Sequence, residues 1–272
     1  MADASSRPRS YRQRLLLLLT QSSHISAPFI TTFLLIHLSA PVMANVGGSS
    51  LSSQVMLLGR EYYQTTLGET YLVLGPLAVH ALSGIIRRTL IIYPKVKSSS
   101  NSSTILQRIR RALPATTLCL TAYTVLLILP IHFGTHRLLP TTTTPPVLSL
   151  GPSELDYSFV QYGLQRWPVR TWAMYTVLVG ATITHAVEGL RILMSSRSDL
   201  VGVSEQAAAD KSSSNSFFPT NSRIRRRLLV AILTLPVLSG LYVLYEDPLY
   251  VFTDMGRRLE GVYQLSWIYS TQ

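Results

Sequence analysis

Six histidines, His24, His37, His80, His132, His136 and His185, are the residues of this 272-residue chain whose spacing could do chemistry. Four of them fall one per apolar segment: His37 in the first, His80 in the second, His132 in the third and His185 in the fourth. An ionisable side chain inside a bilayer is costly and by default marks a function. Successive spans run in opposite directions, so depth can be counted along each. His37 and His132 lie past the midpoints of two spans that run the same way, which puts them in one leaflet. His80 and His185, on the oppositely directed spans, fall at a second level nearer the basic side. Two neutral imidazoles on facing helices at one depth are what bis-imidazole ligation of haem iron requires, and a helix bundle supplies the apolar slot. The expected pairs are His37 with His132 and His80 with His185, for two b-type haems.

Local sequence supports the second pair. His80-Ala-Leu-Ser-Gly84 and His185-Ala-Val-Glu-Gly189 share the pattern H-A-x-x-G. Gly84 and Gly189, four residues on, share the histidine's helix face and leave room for a flat ligand or a close helix. Arg87, Arg88 and Arg191 follow within two turns and are candidates to pair with haem propionates. The alternative is that each histidine only ties two helices together by a hydrogen bond, and that the arginines are snorkelling anchors. His136, one turn from His132, is its rival and is expected at the interface, with His24 outside the core. Glu188 is expected to pair with Arg191, and Glu246 and Asp247 to be solvated. Cys119 reads as inert packing.

The elements that must position these residues follow from composition. The chain carries 24 Lys+Arg against 13 Asp+Glu, a formal charge of +11, yet only 14% of its residues are charged and 47% are apolar. Disorder needs low hydrophobicity and is excluded for most of the chain. A single cysteine excludes a disulfide scaffold, and so low a charge density with this basicity argues against a nucleic-acid binder. A membrane protein with positive loops remains.

Five segments are predicted to cross, at about 26–46, 72–92, 113–133, 172–193 and 228–245, each near the ~20 residues a span needs. Pro41, Pro76, Pro130 and Pro236 fall in or near them and are tolerated in a bundle. The expected organisation is a basic tail over 1–25, an all-α five-helix transmembrane domain over 26–245 with Ser-rich loops at 98–103 and 195–222, and a C-terminal tail over 246–272. The aromatic connections around Tyr62, Tyr63, Tyr157, Phe159, Tyr162 and Trp167 are expected to be packed or interfacial. Eighteen of the 24 basic residues fall on one side of this topology and six on the other, alternating at every crossing. The positive-inside rule then places the N-terminus in the cytosol. The Arg- and Ser-rich N-terminus also has the look of a mitochondrial transit peptide, with a basic flank of an uncleaved anchor as the alternative. No Gly-rich phosphate loop, CxxC, HExxH or G-x-S-x-G occurs, so no enzyme activity is expected.

Paired histidines on the first four of five helices resemble the two-haem cytochrome b anchors of succinate dehydrogenases and fumarate reductases. A second resemblance is carried by sequence. The block FLLIHLSAPVMANVGGSSLSSQVMLLGREYYQT from Phe33, followed by LVLGPLAVHALSGIIRR ending at Arg88, is similar to the fungal Mdm-ten-complementing proteins. The His185 to Arg191 segment fits the second half of the same domain. That resemblance implies a multi-span mitochondrial outer-membrane protein acting in lipid homeostasis at contact sites, as an adapter for a bridge-like lipid-transfer protein. Residence in the inner membrane is the alternative implied by an electron-transfer role. In the family's yeast member docking uses a Pro-x-Pro segment of the N-terminal tail. Here that tail holds one proline, Pro8, and no Pro-x-Pro occurs.

Overall fold

A bilayer offers no water to backbone amides, so a chain that crosses it must satisfy them internally, as helix. The computed structural model describes residues 10–98, 116–201 and 222–270, and among them there is no strand. Among these described residues seven α-helices follow in order: α1 Tyr11–Tyr63, α2 Gly75–Ser98, α3 Thr117–Phe133, α4 Tyr157–Arg166, α5 Pro168–Val201, α6 Ser222–Glu246 and α7 Thr253–Leu265. A π segment, Gly68–Leu74, leads into α2, and a second, Gly134–Leu138, extends α3. Five stretches are long and apolar enough to cross a membrane: Tyr11–Tyr63, Gly68–Tyr93, Thr117–Thr141, Pro168–Met194 and Arg223–Glu246. Their apolar side chains face outward, with Leu35 69%, Leu127 73% and Ile232 64% exposed. Such a surface is stable only against lipid.

Several boundaries depart from the sequence expectation. Residues 10–25 are not a tail. Ser10 and Gln13 form a reciprocal cap, with the Ser10 amide donating to Gln13 Oε1 at 3.0 Å and the Gln13 amide to Ser10 Oγ at 3.4 Å. That starts α1 at Tyr11 rather than near Ser26. As a straight rod α1 would be about 80 Å long. It breaks at Gly47 (φ −139°, ψ 26°) and Gly48 (φ 59°, ψ −156°). Only glycine adopts the second conformation readily. Beyond the break the chain folds back, and Ser52 Oγ donates to the carbonyl of Ala40 at 2.8 Å. In an unbroken helix these residues would stand about 18 Å apart.

The C-terminal stretch is not a tail either, since Leu259, Val262 and Tyr263 of α7 are fully buried. Its i, i+3, i+4 spacing gives α7 one apolar face. The Ser-rich loops expected at 98–103 and 195–222 lie mostly outside the described residues, although 195–201 is helical. So does residues 113–115, the expected start of the third span.

The chain divides into two compact units, one of residues 1–34 and 62–114, the other of 35–61 and 115–272. In the first, Phe33 and Tyr63 meet edge-on with ring centroids 5.2 Å apart. Arg12 donates to the Leu90 carbonyl at 3.0 Å.

The second unit contains a bundle and a cap. In the bundle Val179, Ile183 and Val187 of α5 pack with Val237 of α6 and Leu38 and Val42 of α1. A Cβ on Gly240 would collide with the carbonyl oxygen of Pro41, so this glycine sets the approach of α6 to α1. The cap is built from the loop after α3, α4 and α7, around Val147, Leu150, Phe159, Trp167, Tyr263 and Tyr269. Arg258 holds it together, donating to Glu154 Oε1 at 2.8 Å and to the Val147 carbonyl at 2.9 Å.

Candidate functional site

Span α3 ends in the π turn Gly134–Leu138. Such turns recur at functional sites, and this one carries His136, one turn after His132 at the end of α3. The two rings lie 4.5 Å apart, centroid to centroid. His37, from α1, faces His132 with centroids 6.1 Å apart and planes inclined at 74°. Tyr175 of α5 closes the group, its ring 6.1 Å from His132 and its hydroxyl 3.1 Å from His136 Nε2. Phe159 of the cap meets His136 edge-on at 5.1 Å and stacks on Tyr263 at 4.5 Å. His37 and His132, placed at one depth by counting residues, are thus brought together. His136, expected at the interface, is half-buried and committed to Tyr175.

The electrostatics of the group are those of neutral imidazoles in an apolar wall. Ile128, Ile131 and Trp172 pack against the core cluster that contains Tyr175. Nδ1 of His132 is buried and has no hydrogen-bond partner. A buried polar atom left in that state costs about 1–3 kcal/mol. Above the group, burial pushes the phenols of Tyr263 and Tyr269 up. They stay protonated, and Tyr263 donates to the Phe159 carbonyl at 2.9 Å.

The second expected pair divides between the two units. In the first, His80 Nδ1 lies 3.2 Å from the Ser23 carbonyl and 3.3 Å from the hydroxyls of Ser23 and Ser26. In the second, His185 Nδ1 lies 3.2 Å from the Leu118 carbonyl. A ring nitrogen facing a carbonyl oxygen carries the proton, which leaves Nε2 with the lone pair. Metal-ligating histidines make the same contact, and so do histidines that only tie helices. Neither Gly84 nor Gly189 has an atom within 4 Å of where a Cβ would stand, so neither marks a close helix crossing. Arg87 is exposed and Arg88 half-buried.

One ionic expectation holds with an addition, and one changes. Arg191 lies 3.9 Å from Glu188, but the closer partner of Glu188 is Arg226 of α6, at 2.5 Å. Asp247 is not simply solvated: its Oδ2 accepts from the Ser49 amide at 2.8 Å, at the Gly48 break. Sequence reasoning missed Tyr175 and the Ser23/Ser26 pair, and took Phe159 only as a packed or interfacial aromatic. The two serines, three apart on α1, carried a weak signal. Tyr175 carried none, because a tyrosine near a helix end is ordinarily an interfacial residue.

A groove of about 610 Å³ opens between α1 and α6, lined by Val42, Asn45, Val46, Leu235, Pro236 and neighbouring residues. Asn45 Nδ2 crosses it to the carbonyl of Pro236 at 2.8 Å.

The chain is a multi-pass membrane protein by its spans. No curated protein and no solved structure matches it. A family model does, over a stretch that takes in the last part of α3, the cap loop, α4, α5 and nearly all of α6. The Phe33–Arg88 block lies outside that stretch, whereas His132, His136, Tyr175 and His185 lie inside it. Residues 127–244, a little under half of the chain, match the family described as MDM10-complementing protein 1, transmembrane domain.

Proposed function

We propose that this chain is a non-enzymatic protein of the mitochondrial outer membrane that supports lipid homeostasis at membrane contact sites. In this reading it acts as an adapter or partner of a lipid-transfer protein, with its N-terminus in the cytosol. The family match over residues 127–244 carries the reading, since the family suggests a mitochondrial membrane. The charge distribution supports the orientation: the N-terminal arginines, the segment after α2 and the segment between α5 and α6 hold most of the basic residues. In unit two Arg223, Arg225 and Arg227 are exposed at the start of α6, a surface suited to acidic lipid headgroups or an acidic partner. No Pro-x-Pro segment occurs, so docking of a bridge-like lipid-transfer protein must use another part of that face.

Deletion of the gene, followed by mitochondrial phospholipid analysis and imaging, tests the function. Altered phospholipid proportions and mitochondrial shape are expected; normal values for both would overturn it. Protease added to intact mitochondria tests the placement. Cleavage of an N-terminal tag is expected, and full protection would point to the inner membrane.

A further inference from the structure

We propose that the groove between α1 and α6 binds a sterol, whose hydroxyl donates to Oδ1 of Asn45. Val42, Val46, Leu235, Pro236 and Leu238 form its apolar walls, and Asn45 and Ser239 supply its polar atoms. All of them belong to the second unit. Nδ2 of Asn45 lies 2.8 Å from the Val42 carbonyl and 2.8 Å from the Pro236 carbonyl. Carbonyls only accept, so the nitrogen must face them and both of its N–H groups are committed. Oδ1 is left as an acceptor, and among the described residues nothing donates to it. Ser239 does not serve it, because its hydroxyl donates to the Pro236 carbonyl at 3.2 Å. Asn45 is exposed, and Pro236 lies midway along the Arg223–Glu246 span. An exposed atom there meets lipid in place of water, where a bare carbonyl oxygen is costly.

The occupant must therefore bring a donor along with an apolar body. A phospholipid acyl chain has no donor, and its ester group adds only acceptors. A sterol carries one hydroxyl on a rigid, flat hydrocarbon frame. The walls suit that shape. Valine is stiff at χ1 and proline is a fixed ring, so they present a firm surface. A rigid ligand also loses less freedom on docking than a flexible chain does. Val46 is 76% exposed and Leu235 62%, and a sterol laid over them covers both. One sterol face packs on the protein, and the other stays against lipid. Sterol binding holds or fails apart from the adapter reading, which is unaffected if the groove takes no sterol.

The test uses the full chain, purified in mild detergent and reconstituted into phosphatidylcholine vesicles. It is photolabelled with a diazirine-bearing cholesterol that keeps its 3β-hydroxyl. Saturable labelling of the α1 and α6 peptides that hold Asn45 and Pro236 is expected, with competition by cholesterol. Cholesterol 3-methyl ether keeps the apolar body without the donor, so it should compete about fivefold less well. That arm tests the hydrogen bond without altering the fold. Val46→Trp and Leu235→Trp enlarge exposed groove side chains and should each lower labelling roughly tenfold, with unchanged unfolding temperature. Absence of saturable labelling overturns the proposal. So does undiminished labelling in both tryptophan variants, or equal competition by the methyl ether. Competition by diacylglycerol as strong as that by cholesterol overturns it too, and makes the occupant an acyl chain.

Discussion

The carboxylate of Asp247 and the amide of Ser49, 198 residues apart in sequence, are joined by a 2.8 Å hydrogen bond. The bond pins the end of α6 to the point where α1 reverses. Helix N-terminal amides have no partner within their own helix, and a carboxylate there is stabilising. Asp247→Ala should therefore destabilise the folded protein by about 1 kcal/mol, read as a lower unfolding temperature in detergent. Gly48→Ala should cost more, about 1–3 kcal/mol. Its backbone sits at φ 59°, and the added Cβ would lie 2.8 Å from the same carboxylate oxygen.

Glycines in the spans should separate into two classes. Gly240→Ala pushes a methyl into the Pro41 carbonyl and should sharply reduce unfolding temperature or the yield of folded protein. Gly189→Ala meets nothing within 4 Å and should be neutral or slightly stabilising, because alanine is the better helix former by about 1 kcal/mol. Comparable losses in the two variants would contradict the described packing.

The Glu188 ion pairs should be unequal. The Glu188 side chain is 14% exposed and that of Arg226 29%, whereas Arg191 is 60% exposed. Arg226→Ala leaves a mostly buried carboxylate and should cost about 2 kcal/mol. Arg191→Ala removes a longer, solvent-screened contact and should cost under about 0.5 kcal/mol. A double-mutant cycle with Glu188→Gln measures both couplings.

The cap should loosen in acid. The Gly151 amide and the Arg258 guanidinium hold the Glu154 carboxyl below its ordinary value. A depressed folded pKa gives stability that is present above the unfolded value, about 4.3, and is lost as pH falls through the folded one. Unfolding temperature should drop below about pH 4, and Glu154→Gln should flatten that part of the profile. An unchanged slope in the variant would remove Glu154 from the account.

The five crossings were legible because lipid demands about 20 apolar residues from any span, and no tertiary contact can override that. Where α1 begins was legible too, in the Ser10-x-x-Gln13 cap, but the Arg-rich composition around it reads as a flank. Helix α7 was masked in the same way: Arg257, Arg258 and Glu260 hide the spacing of Leu259, Val262 and Tyr263. The meeting of His37 with His132 could be counted along two parallel spans. The hydrogen bond of Tyr175 to His136 could not, since it depends on the π turn after α3. Nor could the partners of Asp247 and Glu188, which are set by how α6 packs and not by neighbours in sequence.

The contact of Gly240 with the Pro41 carbonyl joins the earliest of the five spans to the latest. Asn45, reaching from α1 to the Pro236 carbonyl, reinforces that junction. Synthesis proceeds from the N-terminus, so the α1 side of this junction has no partner until α6 has been made. Completion of the second unit is therefore a ring-closing event that follows translation of the last span. A chain interrupted before α6 would present an unfilled notch to lipid or to whatever quality-control machinery surveys it.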